Sequence, residues 1–189
     1  IQQLSDYDSI VYINCSYNQL TSLPSTLPES LQTLDCSNNN LTSLPSNLPE
    51  SLQKLRCSGN NLTELPSKLP ESLQILNCYN NDLTSLPSNL PGSLIGLYCS
   101  DNKLSFESLQ SNLPESLHVF ECSHNVLTSL PLKLPESLQE LYCSNNKLTS
   151  LPINLHELRN LTYVSYINNE IEYIPPQTTR FLNRLKNTG

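Results

Sequence analysis

The stretch LQTLDCSNNNLTSLP, Leu31 to Pro45, decides the fold. Its fixed letters are Leu31, Leu34, Cys36, Asn39 and Leu41, followed by Leu44 and Pro45, and the phrase returns along most of the chain. Cysteine marks the beat: Cys15, Cys36, Cys57, Cys78, Cys99, Cys122 and Cys143 stand 21 residues apart five times and 23 apart once. Self-similarity at this period means a stack of like coils, none of which can bury its apolar side chains alone. Stacking merges the leucines into one core, each contributing roughly 1.5–3 kcal/mol when buried. Aligning the phrase yields eight units, beginning at Ile10, Leu31, Leu52, Leu73, Leu94, Leu117, Leu138 and Leu161.

The phrase LxxLxCxxNxL is identified as the unit of a leucine-rich repeat. With its flanks, LPSTLPESLQTLDCSNNNLTSLP (Leu23 to Pro45) resembles the short Leu-Pro-rich repeats of bacterial effector proteins delivered into host cells, and similar cysteine-bearing units occur in giant-virus proteins. The resemblance spans residues 10 to 175 and implies a β-rich leucine-rich repeat solenoid with a parallel β-sheet on its concave face. The expected layout is a lead-in over 1–9, eight repeats over 10–175 and a short capping helix within 176–189. In some of those effectors the repeats select targets for an attached ubiquitin-ligase domain with a catalytic cysteine, for which the residues after Arg180 leave no space. Family coils often carry Val or Leu where this chain has Cys, which leans toward the viral or environmental branch.

Between phrases run segments such as LTSLPSNLPESLQ, with paired prolines four residues apart, Pro24 with Pro28 and Pro45 with Pro49. Proline lacks the amide donor and clashes with a preceding helical turn, so the convex side reads as extended, polyproline-like backbone. Without outer helices, which need about 10 Å of spacing against about 4.8 Å for strands, curvature should be gentle. Two coils break the pattern. SFESLQSNLP after Leu104 is longer by two residues and offers Phe106, Glu107 and Leu109 for a helical turn, and INLHELRNLTYV, Ile153 to Val164, replaces the second proline with helix formers. In the last unit Val164 and Tyr166 stand where Leu and Cys recur, a bulkier pair expected to widen or close the array. PPQTTRFLNRLK then reads as a helix capped by Thr178 or Thr179, with Phe181, Leu182 and Leu185 on one face and Arg180, Arg184 and Lys186 on the other.

The cysteines occupy an inward position and read as small buried hydrophobes forming a ladder. Their odd count and equal spacing fit a reducing compartment better than a disulfide framework, so the cytoplasm, or a host cell's cytoplasm, is the expected location. Sequons at Asn14, Asn40, Asn61 and Asn160 would matter only in a secretory route. The asparagines 18, 39, 60, 81, 102, 125, 146 and 169 recur where each strand ends, and an inward amide there can bond the backbone of its own and the adjacent coil. Cysteine and asparagine columns are therefore structural: Cys15 to Cys143, and Asn18, Asn39, Asn60, Asn81, Asn102, Asn125, Asn146 and Asn169.

Charge narrows the function. Net charge is −7, and residues 1–175 hold seven basic against seventeen acidic groups, which argues against nucleic acid. No apolar run reaches the roughly 18–20 residues of a membrane span, and the first ten residues lack a signal-peptide pattern. The chain has no methionine, which reads as a processed or excised form with a neighbouring domain missing. His118, Cys122 and His124 crowd one unit, but their positions point apart and no CxxC pair exists, so neither a metal nor a cofactor is expected. Serines and carboxylates recur by period instead of forming a triad or a paired-acid cleft, so no enzyme is expected.

Strand alternation leaves the residues between the inward ones on the concave face. Scaffold letters barely change, whereas these columns mix aromatic, apolar and charged side chains. The candidate protein- or peptide-binding residues are Tyr12, Lys54, Arg56, Tyr79, Tyr98, Val119, Glu121, Glu140, Tyr142 and Tyr163, with tyrosine as the anchor type. Tyr79, Tyr98, Val119, Tyr142 and Tyr163 should form a band flanked by the two glutamates, and Lys54 with Arg56 a separate basic spot. The alternatives are a self-associating structural protein that pairs weakly through its N-terminal edge strand, or the target-recognition part of a larger effector or ubiquitin ligase.

Overall fold

In the computed structural model, residues 7–109 and 113–186 are described. Eight three-residue strands form one parallel sheet whose spatial order is the chain order. They are β1 Tyr12–Asn14, β2 Thr33–Asp35, β3 Lys54–Arg56, β4 Ile75–Asn77, β5 Gly96–Tyr98, β6 Val119–Glu121, β7 Glu140–Tyr142 and β8 Tyr163–Ser165. The sheet lines the concave side of a solenoid. Pairing starts before each strand and outlasts it: Gln53 N–H donates to the Gln32 carbonyl, and Cys36 N–H to that of Arg56, both at 2.8 Å.

The middle residue of each strand enters the core. Leu34, Leu55, Leu76, Leu97, Phe120 and Leu141 are fully buried, as are Leu31, Leu41 and their equivalents as far as Leu138 and Leu148. One coil supplies only a slice of this core, which is why the period-2 alternation needs to persist for just three residues before the chain turns.

Each strand exit is a left-handed corner, with φ between 52° and 61° at Tyr17, Asn38, Gly59, Asn80, Asp101, His124, Asn145 and Asn168. Asparagine, aspartate and glycine tolerate that conformation best, which accounts for the first Asn of the recurring SNN. The second Asn is the inward one. Asn60 Nδ2 donates to the carbonyls of Cys36, Cys57 and Ser58 at 3.1–3.2 Å, and its Oδ1 accepts the Leu41 N–H at 3.0 Å, so one side chain serves two coils.

On the convex side the turns close with short bonds such as Leu52 N–H to the Pro49 carbonyl, 3.0 Å. A serine column absent from the sequence reading stitches them. Ser51 Oγ donates to Glu29 O at 2.6 Å or Leu31 O at 2.7 Å, and Ser72, Ser93 and Ser116 repeat the geometry. The long coil absorbs its extra residues in a 3-10 turn, Phe106–Leu109, and β5 and β6 still pair in register, Gly96 opposite Val119. Leu155–Glu157 forms a second 3-10 turn.

A helix, α1, Pro176–Lys186, closes the C-terminal end, packing on the Leu155–Glu157 turn and β8. Leu182 is buried, with Phe181, Leu185 and Tyr166 partly so against the same core. Arg180 and Arg184 are exposed. The side chain of Lys186, and the lead-in before Tyr7, lie outside the described residues. The capping assignment needs correction. Thr179 N–H donates to Pro175 O at 2.9 Å, so the helix begins two residues before Thr178, at Pro176, whose fixed φ suits a first turn. Thr179 Oγ1 bonds back to Pro175 O at 3.2 Å, and Thr178 Oγ1 is buried without a partner.

Candidate functional site

The first and third residues of every strand face the concave surface, and register lines them up. Along one row stand Gly96, Val119, Glu140 and Tyr163; along the next, Tyr98, Glu121, Tyr142 and Ser165. Glu121 thus lies between two tyrosines, interleaved with the aromatic band and not beside it. Tyr79 follows β4 at the strand exit and is exposed. Tyr12 sits alone on β1, and Lys54 and Arg56 on β3, so the structure separates these three from the β5–β8 group.

Earlier in the chain the third strand position is structural on β1, β2 and β4, with Arg56 of β3 the exception. Asn14, Asp35 and Asn77 each accept, through Oδ1, the backbone N–H two residues on, at 2.9–3.1 Å. Such local bonds set the strand exit. At β5, β6 and β7 that acceptor is exchanged for Tyr98, Glu121 and Tyr142, so local backbone chemistry no longer dictates the side chain.

Both tyrosines fold back over the start of their own strands. A Cβ on Gly96 would meet Tyr98 Cε2 at 2.8 Å and its hydroxyl at 3.3 Å, so glycine leaves the space in which this ring lies. Tyr142 donates its hydroxyl to Glu140 Oε2 at 2.8 Å, and its ring centroid is 4.9 Å from that of Tyr163, tilted by 35°. Val119, shorter than either tyrosine, stands on the strand between the two rings. The result is a shallow trough with an apolar floor, phenolic walls and two carboxylates.

Electrostatics tie these groups together. Burial, then Asp101 and Glu140, hold the Glu121 carboxyl above its ordinary range. Burial followed by Glu121 and Glu140 raises the Tyr98 hydroxyl, while burial, the bond to Glu140 and the nearby charges push Tyr142 up to about 12. Both phenols stay protonated at neutral pH and act as donors.

The cysteines are free thiols; six are fully buried and Cys15 is half-buried. Cys36, Cys57 and Cys143 direct Sγ at the carbonyls of Arg56, Asn77 and Ser165 at 3.3–3.5 Å. Burial raises every one of them, Cys36, Cys78 and Cys143 to about 12, which leaves little thiolate for chemistry. His118 Nδ1 bonds the Ser116 carbonyl at 2.8 Å, whereas His124 Nε2 faces Asn145 on the corner column at 3.0 Å. Among the described residues no three metal-ligating side chains are grouped to hold an ion, and no helix is long and apolar enough to cross a membrane.

The family model Leucine Rich Repeat matches residues 30–50, 51–71 and 137–158. Comparison with curated proteins found no match. Among solved structures, the leucine-rich repeat domain of a Shigella effector is 32% identical, with a TM-score of 0.78 over 96% of this chain and 78% of that one. YopM from Yersinia enterocolitica is 40% identical with a TM-score of 0.76, covering 86% of this chain but 34% of YopM, about a third of its length. The functional domain of InlJ from Listeria monocytogenes, which includes a cysteine ladder, is 29% identical with a TM-score of 0.64, covering 89% of this chain and 41% of that one.

Proposed function

Because the chain belongs to the leucine-rich repeat family, we propose that it is a non-enzymatic interaction module that takes a protein or peptide on its concave face. Solenoids of this kind use their extended concave surfaces for binding. The observation that carries the reading is the exchange, at β5 to β7, of the structural Asx acceptors for Tyr98, Glu121 and Tyr142. Tyrosine brings rigid contact area with a polar tip, and here two of them border an apolar floor. The scaffold's other columns are committed: cysteines and leucines to the core, asparagines to the corners. Seven free thiols, six of them fully buried, support action in a reducing compartment such as a host cell's cytoplasm. The similarity to effector repeats supports a role as the target-recognition part of a larger protein.

Replacing Tyr98 and Tyr142 together by Ala should weaken binding to a partner isolated on the wild-type chain by at least about a hundredfold, two hot-spot losses of about 1.4 kcal/mol or more each. Both side chains are only partly buried and lie outside the leucine core, so melting should move by only a few degrees. Undiminished binding would sink the reading. A second reading, self-association through β1, rests on the exposure of Val11 and Tyr12 at the edge of the sheet. A light-scattering mass that stays monomeric across a concentration series would dismiss it.

A further inference from the structure

We infer that the trough between Tyr98 and Tyr142 receives an arginine side chain of the protein partner, an inference that rests on the concave-face reading above. Three observations converge on it. The first is unmatched charge. Among the described residues the ion pairs are Lys68 with Glu50, Lys103 with Asp82, Lys133 with Glu115, and His124 near Asp101 at 4.0 Å. Glu121 and Glu140 belong to none of them, yet they act on one another and on the same two phenols. A pair of partly buried carboxylates without a cation is a defect in an isolated chain and an asset in a complex, where an incoming positive charge relieves both.

The second is shape. Tyr98 and Tyr142 stand on strands separated by one other, roughly 10 Å apart at two strand spacings, with Val119 beneath the gap. That width admits one flat group with a ring on either side. Gly96 is what allows the Tyr98 ring to lie back and form a wall, since any Cβ there would collide with it.

The third is donor demand. The Tyr142 hydroxyl donates to Glu140 Oε2 at 2.8 Å and Ser100 lies beside Glu121, so each carboxylate keeps lone pairs open for incoming N–H donors. A guanidinium supplies five N–H donors in a plane, pairs with carboxylates through a fork and stacks on aromatic faces. A lysine ammonium is a strongly hydrated point charge that uses neither the rings nor the fork as well. A metal ion is not served by this set among the described residues, and an anion would be repelled.

The test begins with a random peptide library displayed on phage and panned against the whole chain. Enriched peptides should share an arginine, and a synthetic peptide of the selected sequence is then compared with its citrulline version, of the same shape without the charge, and its lysine version. Citrulline should lose at least about tenfold in affinity and lysine severalfold. In the Glu121→Gln/Glu140→Gln variant the arginine peptide should lose as much, and the citrulline penalty should vanish. Glu115→Gln with Glu136→Gln, away from the trough, should change neither. Peptides without arginine, equal binding of the citrulline version, or a citrulline penalty that persists in the double variant would overturn the inference. If such peptides still depend on Tyr98 and Tyr142, the concave-face reading survives alone. Binding indifferent to both tyrosines, or a library that yields no binder, overturns the two together.

Discussion

The two asparagines of each SNN answer different needs, and only one is replaceable. The first occupies a left-handed corner, a role filled elsewhere in the chain by Gly59, Asp101, His124 and even Tyr17. The second is inward, and every unit keeps it. Asn81 Nδ2 donates to the carbonyls of Cys57, Cys78 and Tyr79 at 3.1–3.3 Å, and Oδ1 accepts the Leu62 N–H at 3.0 Å. Asn81→Ala strands these buried groups, each costing about 1–3 kcal/mol when unmet, so a loss of about 3–5 kcal/mol is expected in urea unfolding. Asn81→Asp should be worse at neutral pH, because a carboxylate would face three carbonyl oxygens, and acid should partly restore it. A loss below 1 kcal/mol for Ala would refute the corner argument. The thiols allow a paired comparison. Cys57 Sγ already points at the Asn77 carbonyl at 3.5 Å, whereas Cys78, equally buried, has no such acceptor. Cys78→Ser should therefore cost about 1–3 kcal/mol and Cys57→Ser less. Burial of both columns was legible because an inward position repeats at one spacing. The corner conformation was not: its column mixes Tyr, Asn, Gly, Asp and His, which looks like free variation until the positive φ supplies the common cause.

At the scale of elements, β6 carries the group whose titration matters most. Glu121 is held above the ordinary carboxylate range by burial, Asp101 and Glu140, so the folded chain binds its proton more tightly than the unfolded one. Its contribution to stability is then fully present below the ordinary range and is lost as pH rises through the raised folded value. Glu121→Gln should accordingly melt higher than the wild type at neutral pH, with the two curves converging in acid; a gap that widens as pH falls would contradict the assignment. The C-terminal helix offers a second check. Thr178 is buried with Oγ1 unpartnered, and valine has the same shape without the hydroxyl. Thr178→Val should stabilise the cap by up to about 1 kcal/mol, read from the melting temperature, since both residues are β-branched and helix propensity hardly changes. Existence, type and apolar face of this helix followed from the spacing of Phe181, Leu182 and Leu185. Its start did not, because the threonines invite a capping role that Pro176 pre-empts with a ready-made φ. The trough shows the same boundary. Alternation put Tyr98, Glu121 and Tyr142 on the concave face, but the backward lean of the rings depends on what Gly96 leaves open and on the Glu140 carboxylate, neither of which is a property of the repeat.

The whole molecule is close to one-dimensional: each strand pairs only with the coils before and after it, and the core is a series of similar slices. Stability in such an array is approximately a sum of unit terms and nearest-neighbour interfaces, so position along the axis, and not depth from a centre, governs how a lesion spreads. Leu97 and Ile13 hold the same strand position, yet Leu97 is fully buried between two neighbours and Ile13 is only partly buried in the first described coil. Leu97→Ala should cost about 2–5 kcal/mol, and, by weakening the interfaces on both its sides, should split hydrogen exchange into two blocks that open independently on either side of β5. Ile13→Ala should cost less and raise exchange only over the first coils, leaving β4 to β8 protected as in the wild type. Uniform loss of protection in both variants would mean that the chain unfolds as a single cooperative unit and would refute nearest-neighbour coupling. The distinction bears on function as well, since the trough spans β5 to β7 and would lose binding with the central substitution while surviving the terminal one.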